Sequence, residues 1–386
     1  MPRIYLDHNA STPVRAEVLD AMLPYFAEHY GNASSAHAFG QEAKGAIEEA
    51  RGKVAALVNA APAEIVFTSG GTESDNMGVL GAARALAGKG RHVVVSEIEH
   101  EAVRNAAGAL EAEGFTVTRV PAMADGRVDP GAVAKALRPD TVLVSVMAAN
   151  NETGVLQPVA EIGALCAARG IAFHTDAVQA AGKIPIDARA WQATFLTIAA
   201  HKFYGPKGVG ALYVKRGAKT APLLFGGEHE RGRRPGTENV PGIVGMGAAA
   251  ELARAELDTA PPRMAMLRDR LEQGLIARVP QVVAHGAAAP RACNTSHLSF
   301  VGAEGEHLLL TLDQKGIACS SGSACKSGSS HPSGVLLSMG VPALVAQAAV
   351  RWSVGRATTE AEIDYVLETV PAVVQKLRAA SPTFAA

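Results

Sequence analysis

A lysine and an aspartate each come after an apolar stretch of the chain. Lys202 lies shortly after "TFLTIA" (194–199), and Asp176 follows "IAFHT" (171–175) at once. A lysine at a strand end within a pocket can lose its proton and become a nucleophilic amine, and a poorly solvated carboxylate needs a cationic partner. Taken singly, a solvated lysine and a helix-capping aspartate are the simpler interpretations. Taken together, the residues suit a site where an amine and a carboxylate face one ligand.

Two further polar sites also follow apolar stretches. After "EIVFT" comes "SGGTES" (69–74), a glycine turn that runs into a helix start. Its backbone N–H groups and the Thr72 hydroxyl suit a phosphate. After "HVVVS" comes "EIEHEAV", which places His100 near the next strand end. Alone, the first sequence is usually a turn with a helix N-cap, and the second holds a structural histidine.

The four sites together meet the needs of one cofactor, pyridoxal phosphate. Such a site requires a lysine for the Schiff base, a carboxylate on the pyridinium nitrogen, a phosphate cradle, and an acid–base or stacking group over the ring. Lys202, Asp176, the turn with Gly71 and Thr72, and His100 fill these roles in that order. The sequence therefore predicts a site for pyridoxal phosphate.

A cysteine lies in a small, polar segment where a thiol can hardly pack. Cys325 is at the centre of "SSGSACKSGSS" (320–330), a stretch rich in serine and glycine. A nucleophilic thiol must lose its proton, and an ordinary thiol with a pKa of roughly 8.5 is mostly protonated near neutrality. Lys326 and His100 are candidate groups to assist the ionisation. Without a cofactor site, a linker with an incidental cysteine would be the preferred interpretation.

Short apolar runs alternate with helical stretches through the first part of the chain, which indicates a mainly parallel sheet covered by helices. In such open α/β sheets, ligands bind at the carboxyl ends of the strands. We therefore expect the polar residues that follow the runs to meet at one edge. The predicted strands lie at 64–68, 92–96, 141–147, 171–175, 194–199 and 209–214.

The alternation changes after about residue 240. A long helix is predicted at about 243–279, bent or broken by "APP" at 260, and a second alternation follows it. This pattern predicts a large cofactor-binding domain over residues 13–258. Residues 1–12 and 259–386 would form a smaller α+β domain that carries the cysteine segment at about 320–332.

Composition excludes several classes of partner. The 386 residues include 36 Lys+Arg and 37 Asp+Glu, so the formal net charge of −1 provides no bulk attraction to nucleic acid or anionic membrane. No apolar run approaches the ~18 residues of a membrane helix, and "MPRIYLDHNAST" lacks the apolar region of a signal peptide. Four cysteines without CxxC spacing are expected to be unpaired in a reducing compartment. We expect a cytoplasmic protein whose partners are small molecules or proteins.

Motifs along the whole chain resemble those of the NifS/IscS-like cysteine desulfurases, which are fold type I pyridoxal-phosphate enzymes of the class V aminotransferase family. The resemblance extends from "YLDHNAST" to "VRWSVGRATTEAEID" and implies an α/β fold and conversion of L-cysteine to L-alanine. It also implies that Cys325 takes the substrate sulfur as a persulfide. The motifs that carry it are "TSGGTESDN", "EHEAV", "ANNETG", "HTDAVQ", "AHKFYGPKGVG", "RGRRPGTENV" and "SSGSACKSG".

The resemblance also assigns roles that the residues alone do not. It implies a homodimer, because one threonine of the family reaches the phosphate of the neighbouring subunit. One departure is Ala199, where the family usually has a serine that meets the phosphate; we expect the other donors to compensate. The implied roles are Gln179 on the phenolic oxygen, His201 and Thr72 on the phosphate, Asn151 beside the cofactor and substrate, Arg351 on the substrate carboxylate, and Thr237 across the dimer.

Three alternatives stay open at this point. An aminotransferase of the same fold would share Lys202 and Asp176 but would not need the cysteine segment. A selenocysteine lyase would act on a nearly identical substrate. From another class, a non-catalytic scaffold could use Cys325 to hold a metal or an Fe–S cluster. If the protein is a desulfurase, the sulfur acceptor is expected to be a protein such as an Fe–S scaffold.

Overall fold

The computed structural model describes residues 3–321 and 332–380. The strands are β1 Ile4–Tyr5, β2 Ile65–Thr68, β3 His92–Ser96, β4 Thr116–Val120, β5 Thr141–Ser145, β6 Ala172–Asp176, β7 Phe195–Ala199, β8 Gly210–Val214, β9 Val282–Ala284, β10 Thr295–Phe300, β11 Ile317–Ala318 and β12 Ala349–Ser353. The helices are α1 Ala16–Met22, α2 Pro24–Ala27, α3 Ala38–Leu57, α4 Gly71–Asn76, α5 Ala82–Leu86, α6 Glu101–Ala112, α7 Pro130–Ala136, α8 Val159–Ala168, α9 Val240–Ala255, α10 Ala260–Arg278, α11 Gly305–Asp313, α12 Gly334–Ser338, α13 Ala343–Gln347 and α14 Glu360–Ala379.

A seven-stranded sheet forms the centre of the fold, in the order β2-β8-β7-β6-β5-β3-β4. Strand β8 is antiparallel to both of its neighbours, and the other pairs are parallel. Successive side chains of a strand point to opposite faces, so Val66 packs in one core while Ile65 and Phe67 pack in another. The prediction of an α/β fold with a mainly parallel sheet is confirmed.

Burial on both faces explains why the central strands were predictable. Every residue of β2, β3, β5, β7 and β8 is buried, and each of these strands is a continuous apolar run or close to one. Strand β4 at the sheet edge was not predicted. Its sequence "TVTRV" includes exposed Thr116 and Arg119, as suits an edge strand whose outer side meets water.

The long helix predicted at about 243–279 is broken into α9 and α10. Helix α9 ends at Ala255, and α10 begins at Ala260 with Pro261 in its first turn. Residues in the first turn of a helix do not use their backbone N–H groups for helical hydrogen bonds, so proline, which lacks this group, is well tolerated there. Inside a helix, proline interrupts the hydrogen bonds, so the preceding helix ends before it. The predicted break at "APP" is confirmed.

A second core lies outside the large sheet. It contains Leu6, Leu271 and Trp352 and packs around two small sheets, one with the order β12-β10-β9 and one that pairs β1 with β11. The pairing of β1 with β11 joins the start of the chain to its last third. On this basis we propose the domain division predicted from the sequence, with residues 1–12 in the smaller unit.

The carboxyl ends of β2, β3, β5, β6 and β7 point to one region of the molecule. The turn at Gly70 follows β2, His100 caps α6 after β3, and a three-residue turn that ends at Lys202 follows β7. Within residues 3–321 and 332–380, no helix is long and apolar enough to span a membrane. The same residues contain no group of three or more His, Cys, Asp or Glu side chains suited to a metal ion.

Candidate active site

A cavity of about 410 Å³ opens at the carboxyl ends of the central strands. Of the site residues predicted from the sequence and described by the structure, Thr237 alone lies outside its wall; it is exposed on the loop between β8 and α9. Cys325 and Lys326 lie outside the described residues. The predicted residues that line the cavity are Gly71, Thr72, His100, Asn151, Asp176, Gln179, His201, Lys202 and Arg351.

The turn after β2 has a backbone that only glycine adopts readily. Gly70 has a φ of 154° and precedes α4. The chain of β8 packs close against it, since a Cβ on Gly210 would lie 2.6 Å from the carbonyl carbon of Gly70. Gly71 and Thr72 then stand on the cavity wall at the start of α4. The turn therefore presents backbone N–H groups and a hydroxyl at the place where a phosphate was predicted.

Two residues at the end of β7 complete this side of the cavity. Burial, followed by the nearby lysine charges, lowers the pKa of His201 to about 4, so its imidazole is neutral at physiological pH. Its Nδ1 lies 3.3 Å from the Oγ of Ser11. Ala199 presents a methyl group on the wall, in the position where the family usually has a hydroxyl donor.

Lys202 ends the short turn that follows β7. Its Nζ donates hydrogen bonds to the carbonyl oxygens of Asn9, at 2.5 Å, and Ala10, at 2.8 Å. These carbonyls belong to the N-terminal segment that follows β1, and both residues line the cavity. The amine is thus held at the cavity wall by neutral acceptors that a ligand can replace.

Asp176 and His100 lie on the same wall as Lys202. Asp176 is the last residue of β6 and accepts a hydrogen bond from the N–H of Val178 at 2.9 Å. Burial raises the pKa of Asp176, and the charges of His100 and Lys202 oppose that rise. The Nδ1 of His100 accepts from the N–H of Ala102 at 3.1 Å, so a neutral His100 carries its proton on Nε2.

A second buried carboxylate, Asp75, stands on the wall beside Asp176. Its side chain is buried, and its Oδ1 accepts no hydrogen bond from any described residue. Burial, and then the proximity of Asp176, raise the pKa of Asp75. His174 lies 3.5 Å from this oxygen but does not neutralise it, because burial lowers the pKa of His174 to about 3.

The two carboxylates test whether the cavity fits pyridoxal phosphate. A pair of buried acids with an unpartnered oxygen is stabilised by a cationic ligand group, and the protonated ring nitrogen of the cofactor is such a group. The cradle at Gly71 and Thr72 suits its phosphate, and Lys202 suits its aldehyde. The residues present therefore fit the cofactor.

Sequence reasoning missed Asp75 and Asn9. Asp75 lies in the first turns of α4, where an acidic residue normally complements the helix N-terminus and gives no sign of burial. Asn9 reaches the cavity only because β1 pairs with β11, a contact between residues more than 300 positions apart. Neither position has a local signal that would have identified it.

Arg351 already has two partners at the cavity. It is buried on β12, where its Nη2 donates to Asp7 Oδ1 at 2.6 Å and its Nη1 donates to the carbonyl of Asn151 at 3.0 Å. Its Nε has no hydrogen-bond partner among the described residues. Asp7 and Asn151 thus hold the guanidinium of Arg351 in place at the cavity wall.

Replacing Glu99 with glutamine is expected to stabilise the apoprotein increasingly as the pH rises. Glu99 is buried behind His100, where its Oε1 accepts from Ser96 and from the N–H of Met147, and burial raises its pKa to about 8. A carboxyl group with a raised pKa contributes stability below its unfolded pKa of about 4.3 and loses that contribution as the pH rises to its folded value.

The Glu99→Gln variant should therefore gain stability over wild type by up to about 1.4 kcal/mol per pH unit between roughly pH 5 and 8. Above that range the difference should be constant. The measurement is urea unfolding of both apoproteins at several pH values. Equal slopes of unfolding free energy against pH would show that Glu99 titrates normally in the folded protein.

Comparison with known proteins agrees with this geometry. The chain matches the family model described as Aminotransferase class-V over residues 4–366. It is 50% identical to the cysteine desulfurase IscS of Anaeromyxobacter dehalogenans (strain 2CP-C) over 384 residues, which cover 99% of this chain and 95% of that protein.

Two solved structures are similar over almost the whole fold. A NifS-like protein superposes with a TM-score of 0.90 at 38% identity and covers 97% of this chain and 100% of its own. A structure described as SspA in complex with cysteine has a TM-score of 0.81 at 33% identity and covers 92% and 100%, respectively. The chain belongs to the aminotransferase class-V family, and the resemblance to NifS/IscS-like cysteine desulfurases that its motifs predicted is confirmed.

Proposed function

We infer that the protein is a pyridoxal-phosphate-dependent cysteine desulfurase that converts L-cysteine to L-alanine. The sulfur passes to Cys325 as a persulfide and then to an acceptor protein for Fe–S cluster assembly. The observation that carries this proposal is the single cavity wall that combines Lys202, Asp176, His100 and a phosphate cradle. The names of the relatives support the choice of reaction, and SspA was solved with cysteine.

The residues of the cavity divide the work of holding the cofactor. When bound, pyridoxal phosphate supplies an electron sink for the negative charge that develops at the substrate Cα. Asp176 holds a proton at the ring nitrogen, Gln179 donates to the phenolic oxygen, and the Nζ of Lys202 takes the proton from Cα. The phosphate is held by Gly71, Thr72 and His201, with Thr237 of the second subunit as a further donor.

Substrate binding is assigned to Arg351 and Asn151. The substrate carboxylate accepts from the guanidinium of Arg351, which lines the cavity and is already oriented by Asp7 and the Asn151 carbonyl. A guanidinium held in this way binds a carboxylate with little loss of side-chain freedom. His100 lines the cavity, where it would stack on the cofactor ring and move the proton of the Cys325 thiol.

The exposed apolar surface supports a homodimer. The loop between β8 and α9 carries Thr237 and also Phe225, whose side chain is 89% exposed. A contact of 3.2 Å between His229 Nε2 and Ser34 Oγ ties this loop to the segment that exposes Tyr30 and Phe39. Adjacent exposed aromatic side chains favour a protein interface, and a two-fold axis there would bring Thr237 toward the partner's phosphate.

The three cysteines of the described residues are free, which supports a cytoplasmic location.

The test of the proposed function is the visible absorption of the purified protein, followed by its change on addition of L-cysteine. We expect a cofactor band, a rapid change with cysteine, and equal amounts of alanine and sulfide in the presence of a reductant. Keto-acid formation would instead indicate an aminotransferase, and faster turnover of selenocysteine would indicate a lyase. Absence of the band after incubation with pyridoxal phosphate would contradict the proposal and favour the non-catalytic scaffold.

Replacing Asp176 with asparagine is expected to reduce turnover of cysteine by about 100-fold or more, with less effect on cofactor binding. Asparagine keeps the shape of the side chain but removes the charge that holds the ring-nitrogen proton. Steady-state alanine production and the stoichiometry of bound cofactor measure the two effects separately. A rate near that of wild type would mean that the ring nitrogen is paired with another group.

A further inference from the structure

A second lysine is buried behind the cavity wall. Lys183 is only 6% exposed and ends the turn over residues 178–183, with Gly182 at a φ of 70° just before it. Its Nζ donates a hydrogen bond of 2.7 Å to the Oε1 of Gln179. It also lines a second, small cavity of about 20 Å³, and Lys202 lines that cavity as well. The mechanism described above uses Gln179 and Lys202 but assigns nothing to Lys183.

The neighbours of Gln179 permit one orientation of its amide group. On one side, the ammonium of Lys183 can only donate, so the amide oxygen must face it. On the other side, the carbonyl of Asn9 can only accept, and Gln179 Nε2 donates to it at 2.8 Å. The reversed amide would place two donors together on one side and two acceptors together on the other. The group is therefore locked with its nitrogen away from Lys183.

This orientation decides what Gln179 offers to a ligand. The Nε2 atom carries two N–H groups, and the Asn9 carbonyl uses one of them. Gln179 lines the large cavity, so the second N–H is the group it can present there. The same Asn9 carbonyl also accepts from Lys202, which places the amide beside the amine that binds the cofactor.

We propose that Lys183 is a positioning residue that locks the Gln179 amide as a donor toward the phenolic oxygen of the cofactor. The inference rests on the proposed function, in which Gln179 meets that oxygen. An anionic phenolic oxygen needs a donor, and an amide free to turn would present its own oxygen part of the time.

The burial of Lys183 is costly, which argues against a role in packing alone. Desolvation lowers its pKa to about 7; Lys202 and Arg351 add to this effect, and Cys293 opposes it. An apolar side chain of similar length would fill the space without that cost. A neutral amine still donates to Gln179 through its N–H groups but can also accept through its lone pair, and in that state the Asn9 carbonyl, which can only accept, keeps the amide nitrogen on its own side.

The test is a pH titration of the cofactor's visible absorption in wild-type holoenzyme and in Lys183→Met. Loss of the locked donor destabilises the anionic phenolic oxygen, so we expect the midpoint of the titration to rise by about one pH unit. Lys183→Gln retains an N–H donor and should bring the midpoint back toward that of wild type. It also provides a folded comparison if Lys183→Met is unstable.

A double-mutant cycle separates positioning from a direct effect of the lysine charge. If Lys183 acts through Gln179, then Lys183→Met should leave the midpoint of the Gln179→Ala variant unchanged. An equal shift in both backgrounds would overturn the inference and assign a direct electrostatic role to Lys183. An unchanged midpoint in Lys183→Met alone would also overturn it, while leaving the proposed function intact. A wild-type protein without a cofactor band would overturn the proposed function itself.

Discussion

Replacement of Lys202 by alanine is expected to lower turnover of cysteine by about four orders of magnitude or more. The side chain supplies both the amine that binds the cofactor aldehyde and the base that takes the Cα proton, and alanine supplies neither. No neighbour can take over at the same point, because the Nζ of Lys183 is directed to Gln179 instead. The measurement is alanine production from L-cysteine, with bound cofactor quantified in parallel.

Lys207→Ala is the matched control for this prediction. Lys207 lies five residues further along the same loop, but its side chain is exposed and does not line the cavity. This variant should retain wild-type turnover. If Lys202→Ala turned over cysteine at a rate close to that of the control, another lysine would carry the cofactor and the proposed site would have to move.

The central sheet was predictable because its strands are buried on both faces. A strand that is buried on both faces has apolar residues at nearly every position, as "HVVVS" and "FLTIA" show. Few other secondary-structure elements require such a short continuous apolar run. The polar residues that end these runs were therefore predicted to share one edge of the sheet, and nine of the predicted site residues line one cavity. The edge strand β4 was missed, since a half-exposed strand needs only part of that pattern.

The site residues that were not predicted from the sequence reach the site through contacts between distant parts of the chain. Asp75 becomes a buried neighbour of Asp176 only when α4 packs against β7 and β8. Asp7 meets Arg351 only because the N-terminal segment joins the smaller core beside β12. Such residues look like surface acids in the sequence. Sequence patterns report burial and local turns, and they do not report which buried groups meet.

The pKa values of the three cysteines that the structure describes argue against each of them as the thiol that accepts the sulfur. Burial raises the pKa of Cys166 to about 12 and that of Cys293 to about 11. Burial also raises the pKa of Cys319 above that of an ordinary thiol. A thiol held in its protonated form is a poor nucleophile near neutral pH. Of the four cysteines in the sequence, Cys325 is the one to which this argument does not apply, and the resemblance assigns it the sulfur.

Replacing Cys325 with serine is expected to preserve the cofactor band and its change on addition of L-cysteine but to abolish persulfide formation. The hydroxyl of serine does not ionise near neutral pH and is a far weaker nucleophile toward sulfur than a thiolate. Binding of the substrate precedes that attack and uses Arg351 and Lys202, so it should be unaffected. Mass spectrometry of the protein after one turnover without reductant should find one added sulfur atom in wild type and none in the variant.

Cys319→Ser is the matched control, because it removes a thiol six residues away while leaving Cys325 in place. Cys319 is a half-buried, free cysteine directly after β11, and its loss should leave both the added sulfur and the rate of alanine release near wild-type values. If Cys325→Ser released alanine at the wild-type rate, the assignment of Cys325 would be wrong. If the added sulfur disappeared in Cys319→Ser instead, Cys319 would be the acceptor, and its thiolate would have to be stabilised by a charge that the bound substrate brings.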